Sequence, residues 1–102
     1  MLRLGFEVIA RNHRTRWGEL DLIAFDGETI VFVEVKTRRA GSGAPFDKLG
    51  PAKQRQVRQM ASDWLNGTTG RPRAAELRFD EIGVLVDARG RLAGLEHLEA
   101  AF

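Results

Sequence analysis

Four side chains near the start of the sequence have the types and spacing of a hydrolytic metal site: Glu19, Asp21, Glu34 and Lys36. Carboxylates are hard oxygen ligands, and Mg²⁺ is commonly held by one or two of them together with waters and a substrate phosphate. An ion bound in this way polarises a phosphoryl oxygen and acidifies a coordinated water, giving hydroxide near neutral pH. An ammonium two residues along orients that water or stabilises charge developing on the phosphate. The chemistry implied is phosphodiester hydrolysis. The plainer reading is that Glu34 and Lys36 protect a strand against aggregation, with Lys36 in a surface ion pair to Glu19 or Asp21. A bare E-x-K favours that plainer reading, so the matter turns on whether the acids share a face.

The elements around them supply the answer. Leu20 to Phe25 is apolar except for Asp21 and ends at Asp26-Gly27, a strong hairpin signal. Thr29 to Thr37 is rich in β-branched residues and reads as a central strand. If Asp26-Gly27 form a two-residue loop, Phe25 pairs with Glu28, and a four-residue loop centred on the same dipeptide gives the same register. Asp21 then lies opposite Phe32, Glu19 opposite Glu34, and Asp21 and Glu34 are diagonal neighbours on the face that also carries Lys36. Like charges so placed repel, and a divalent cation removes the repulsion. A one-residue slip would send Asp21 to the other face.

Elsewhere, Phe6 to Ala10 reads as a short strand, followed by a polar, basic stretch from Arg11 to Arg16. Residues 39–50 read as a glycine-containing loop. Pro51 opens a helix, since its missing N–H costs nothing at the first position. Val57, Met60, Ala61, Trp64 and Leu65 form one apolar stripe, and Asn66-Gly67 is a stop. Phe79 to Val86 reads as a strand with Ile82, Val84 and Val86 on one face, and Leu92 to Leu98 as a last strand. The order β-β-β-α-β-β predicts an α/β domain with a mixed sheet and helical cover.

The chain has 102 residues, 43% of them hydrophobic. That length and composition predict a single domain over residues 1–102 with one core and argue against disorder. The absence of cysteine excludes disulfides, Cys-based zinc sites and thiol nucleophiles. Apolar runs fall well short of a bilayer span, and no signal peptide is visible, so a soluble cytoplasmic protein without membrane contact is expected. The net charge of +2 is unevenly spread. Residues 36–58 carry seven cations against Asp47 alone, residues 1–18 carry four against Glu7, and residues 80–102 are acidic on balance. Basic segments of this kind suit a polyanion.

R-N-H-R-T-R-W-G-E-L-D-L-I-A (Arg11 to Ala24) and V-F-V-E-V-K-T-R (Val31 to Arg38) resemble the YraN family of uncharacterised bacterial proteins. P-x-K-Q-R from Pro51, R-F-D from Arg78 and L-E-H-L-E-A-A-F from Leu95 fit its later blocks. The family is similar to the restriction-endonuclease-like superfamily, whose signature is an Asp and then E-x-K on neighbouring strands, and which includes archaeal Holliday-junction resolvases. The resemblance implies a restriction-endonuclease-like core, a mixed β-sheet flanked by helices. Relatives usually open with a helix ahead of Gly5, and that first helix is largely missing here. By this resemblance Asp21 and Glu34 hold Mg²⁺ or Mn²⁺, Lys36 is catalytic, and Gln54 sits beside the site at the start of the helix. Gln54 also falls on the inward edge of the apolar stripe.

The reading is thus a metal-dependent endonuclease acting on DNA, with a branched or otherwise structured substrate. Glu19 is an additional or outer ligand, and Arg14, Arg16, Arg38, Arg39, Lys53, Arg55 and Arg58 contact phosphates. Resolvase-like relatives are dimers, which leaves a homodimer open. The alternative is a non-catalytic nucleic-acid-binding or scaffold protein on the same fold. No phosphate-binding glycine loop surrounds Gly41-Ser42-Gly43, and no nucleophile elbow surrounds Ser42 or Ser62. His13 and His97 lack metal-ligand spacing; His13 reads as a solvated loop residue and His97 as a packed or surface one. Trp64 and Trp17 read as core before base-stacking platforms.

Overall fold

A computed structural model of the chain describes residues 5–39, 41 and 49–102. Most of the loop expected at residues 39–50, with Lys48, lies outside the described residues. Five strands and one helix follow in the expected order: β1 (Glu7–Thr15), β2 (Gly18–Phe25), β3 (Thr29–Arg39), α1 (Pro51–Gly67), β4 (Glu76–Val86) and β5 (Leu92–Leu98). The strands form one sheet in chain order, antiparallel except for β3 and β4, which run parallel on either side of the α1 crossover. The result is a mixed α/β sheet, consistent with a restriction-endonuclease-like core, with one helix among the described residues.

β3 is buried on both faces over residues 29–34, as its run of Ile, Val and Phe requires. Ile30 and Phe32 meet Leu20, Ile23 and the apolar stripe of α1, namely Val57, Met60, Ala61 and Trp64. Val31 and Val33 pack on the other face with Phe6 and Ala24. Phe32 anchors the helix side: Trp64 meets it edge-on at 6.0 Å and Phe79 stacks on it at 5.3 Å. Trp64 is therefore a core residue, and Trp17 packs half-buried against the same cluster. No described helix is long and apolar enough to cross a membrane.

The first strand is longer than expected. Residues 11–15, part of the polar, basic stretch after the expected strand, continue β1 and pair with β2 across the turn at Arg16-Trp17, so His13 is a strand residue rather than a solvated loop one. That turn depends on Gly18. Its φ is +133°, and a Cβ there would sit 2.9 Å from Gln56 Nε2, whose amide donates to the Trp17 carbonyl. Gly18→Ala is expected to cost about 1–3 kcal/mol through the backbone conformation alone, read as a lowered urea midpoint with an unchanged slope.

The β2–β3 hairpin forms, but two residues out of the expected register. Phe25 pairs with Ile30 rather than Glu28, and Ile23 pairs with Phe32. The cause is the Asp26 side chain, whose Oδ1 accepts the amides of Glu28 at 2.9 Å and Thr29 at 2.7 Å. That carboxylate organises a loop centred beyond Gly27, and the two bonds hold its pKa below the usual range. A two-residue shift keeps every side chain on its own face, so β3 still presents Glu34 and Lys36 together.

The alternation of β2 does break once. Leu20 joins the helix-side core while Leu22 packs on the opposite face, although they are two apart. Beside this break, on β1, Asn12 adopts φ +51° between the pairs Arg11–Leu22 and His13–Leu20. A left-handed residue inside a strand re-aims the residues beyond it. His13 accordingly reaches α1, with Nε2 2.9 Å from Asp63 Oδ2.

Candidate metal and phosphate site

The β2–β3 ladder is paired from Leu22–Val33 to Phe25–Ile30. Beyond Leu22, β2 continues against β1 as far as Gly18, and β3 continues against β4 as far as Arg39. The sheet therefore forks, and Asp21 stands at the fork. Its Oδ2 accepts the amide of Val35 at 2.7 Å. A side-chain carboxylate thus satisfies a strand amide where the ladder opens, which also fixes the direction of the carboxylate. A recess of about 370 Å³ lined by Arg11, Asn12, Asp21, Leu22 and Val35 adjoins it.

Glu34 and Lys36 lie on the helix-facing side of β3. Glu34 is only 9% exposed. Burial pushes its carboxyl above the ordinary range and the Asp21 charge adds to that, while the ammonium groups of Lys53 and Lys36 oppose it. Lys53, from the first turn of α1, places Nζ 3.4 Å from Glu34 Oε1. Pro51 starts the helix after an extended Gly50, which delivers that turn to the fork.

One buried acid next to these residues, Glu81, is not singled out by the sequence pattern. It pairs with Glu34 in the parallel β3–β4 register and so shares its face. It is fully buried, and Lys36 Nζ lies 3.4 Å from its Oε1. Phe79, Glu81 and Gly83 are the inward residues of this stretch of β4, whereas the pattern of Ile82, Val84 and Val86 drew attention to the other face. An acid two residues after Phe79 on a strand parallel to β3 was the available signal.

Asp21, Glu34 and Lys36 are thus gathered, and the other expected residues fall around them. Gln54 lies in the first turn of α1, its amide donating to the Leu49 carbonyl at 2.8 Å. Glu19 points elsewhere: it stands opposite Arg14 across β1–β2, with a 3.8 Å ion pair. That is the consequence of the broken alternation at Asp21. Of the basic residues, Arg39 and Arg55 are exposed and Arg38 is half-buried. Arg16 lies over the Trp17 ring at 4.5 Å, and Arg58 spans Phe79 and Phe102 at 4.8 and 5.6 Å.

The donor chemistry fits a hard divalent cation, because Asp21 and Glu34 offer only oxygen. Glu34 Oε2 is buried and accepts no hydrogen bond among the described residues, which leaves lone pairs for which those residues supply no donor. Among the described residues, no three acidic or imidazole side chains already converge as a ligand set. A lysine ammonium is paired with each of Glu34 and Glu81 instead.

A second polar cluster occupies the far face of the sheet. Asp80 accepts both Arg78 Nε and Nη2 at 2.8 Å and the Ala100 amide at 2.9 Å, and His97 Nε2 lies 2.8 Å from its Oδ2. His97 is a half-buried member of this cluster, in keeping with a packed role.

Compared with known proteins, residues 1–84 match the model of uncharacterised protein family UPF0102. A UPF0102 protein of Anaeromyxobacter dehalogenans is 46% identical over 100 residues, covering 96% of this chain and 71% of the relative. One of Rhodococcus jostii is 42% identical over 99 residues, covering 96% and 81%. One of Geobacter sulfurreducens is 44% identical over 101 residues, covering 98% and 77%.

Proposed function

The chain belongs to uncharacterised protein family UPF0102, the YraN family it resembles in sequence, and from that premise we propose that it is a metal-dependent endonuclease acting on DNA. The observation that carries the reading is the fork: Asp21 is fixed by the Val35 amide where β2 leaves β3, with Glu34 and Lys36 on the adjoining strand. Asp21 and Glu34 would hold Mg²⁺ or Mn²⁺. Such an ion supplies Lewis-acid polarisation of the phosphodiester and an acidified water. Lys36 places an ammonium two residues from Glu34, suited to the charge that builds on phosphate oxygens as the P–O bond breaks. The Val35 amide keeps the Asp21 carboxylate oriented, and the buried wall of Phe32 and Trp64 keeps the strand bearing Glu34 rigid. Arg39 and Arg55 are exposed for phosphate contact, together with Arg14 and Arg16 at the β1–β2 turn. A branched or otherwise structured duplex is the proposed substrate.

The test is a cleavage assay on linear, flapped and four-way DNA with Mg²⁺ and with Mn²⁺. Metal-dependent cleavage that falls to background in Lys36→Ala is the expected result, read at a temperature where circular dichroism shows the variant still folded, because the change also strips buried Glu81 of its ion-pair partner. Equal cleavage by the variant, or none by the native chain on any substrate, counts against the reading. A second reading, DNA binding without cleavage, is favoured by one observation: a lysine is paired with each of Glu34 and Glu81, and among the described residues no three acidic or imidazole side chains converge as a ligand set. It expects salt-dependent binding that needs no metal.

A further inference from the structure

Glu81 is a carboxylate whose placement its ion pair with Lys36 accounts for only in part. It lies on a strand interior, fully buried, on the same face as Glu34 and directly beside it. Neighbouring strand backbones are about 4.8 Å apart, so two carboxylates on one face come within reach of a common ion once the Lys36 ammonium moves aside. Neither Glu81 oxygen accepts a hydrogen bond among the described residues, and the same holds for Glu34 Oε2. A desolvated carboxylate without donors is heavily penalised, and Lys36 at 3.4 Å from Oε1 offsets only part of that. Asp21 adds a further negative charge beside Glu34, and Lys53 a positive one. The position beside Lys36 on β4 is Gly83, which leaves the lysine stem clear of a cross-strand side chain from β4.

We propose that Glu81 is a third carboxylate ligand of the divalent-cation site, taking the ion where the Lys36 ammonium now rests against it. The proposal rests on the metal-site reading above and adds to it a ligand supplied by β4. Occupancy of the site would therefore move the Lys36 ammonium off Glu81.

The experiment is calorimetric titration of the full chain with MnCl₂, paired with thermal melts at rising Mn²⁺. The variants are Glu34→Ala, Glu81→Gln and Glu81→Val. The native chain is expected to bind one ion with a rise in melting temperature, and Glu81→Gln to bind at least tenfold more weakly. Glu81→Val removes the buried charge; it is expected to melt no lower than the native chain without metal and to lose the metal-dependent rise. Should Glu81→Gln and Glu81→Val bind Mn²⁺ as the native chain does while Glu34→Ala does not, Glu81 is merely the ion-pair partner of Lys36. The proposal then falls and the two-carboxylate site stands. Absence of Mn²⁺ binding by the native chain overturns both.

Discussion

Replacing Asp80 by alanine is expected to destabilise the fold by about 3–5 kcal/mol, the usual consequence of breaking a buried ion pair from one side. For a chain of this size that corresponds to a melting temperature lower by roughly 10–30 °C. Asp80 is fully buried, and its two oxygens receive the Arg78 fork, the Ala100 amide and the His97 ring. The variant leaves the Arg78 guanidinium against the Phe6 ring, with Glu99 at 4.0 Å and the more distant Asp26 charge in place of a direct carboxylate fork. It also removes the acceptor of the Ala100 amide in the turn after β5. Burial by itself would raise the Asp80 carboxyl, but the Arg78, Ala100 and His97 contacts outweigh it and hold the carboxyl below the usual carboxylate value. A depressed folded pKa means the stabilisation is complete above the unfolded value of about 4 and is lost as pH falls through the folded one. The native and Asp80→Ala proteins should therefore differ most near neutrality and converge in acid. Urea titrations at pH 7 and pH 3 measure this, and a difference below about 1 kcal/mol at pH 7 would remove the cluster from any structural account.

The second large effect concerns Asp21, which has two duties that substitution can separate. Asp21→Asn retains an oxygen that can accept the Val35 amide, so the fork should survive and the melting temperature should hardly move. It removes the charge on which cation binding depends, and metal-dependent cleavage should fall by about 10³-fold or more. Asp21→Ala deletes the acceptor as well and should cost about 1–3 kcal/mol for the orphaned amide. Melts and cleavage rates of the two variants side by side provide the check. Native-level cleavage by Asp21→Asn would exclude Asp21 as a metal ligand.

The element order and the faces of β3 were legible because their signals are local: β-branched runs, Asp26-Gly27, Pro51 and an apolar stripe. The register was not, because it depends on one side chain, Asp26, capping two amides rather than on the dipeptide it belongs to. Glu19 looked like a site residue under strict alternation. A left-handed Asn12 on the neighbouring strand accompanies the break in that alternation, and asparagine in a strand gives little warning. Glu81 was hidden for a different reason. Its relation to Glu34 is set by parallel pairing across the helix, which no local pattern encodes. Arg78 and Asp80 were within reach, since residues two apart on a strand share a face.

The parallel seam has a consequence for how the chain reaches this structure. Each β3 residue finds its β4 partner 47 positions later, from Thr29–Glu76 to Arg39–Val86. The antiparallel neighbours are joined by short turns that close on microsecond timescales. Closing the longer segment costs roughly 2 kcal/mol more chain entropy than a tight hairpin, and such non-local pairing slows folding. The meander of the first three strands can thus form early, with Asp21 and Glu34 already near each other. Glu81 reaches them only when the last long-range contact closes. Any chemistry that needed all three would belong to the finished molecule alone, so a nascent or partly folded chain carries the sequence motif without the assembled cluster.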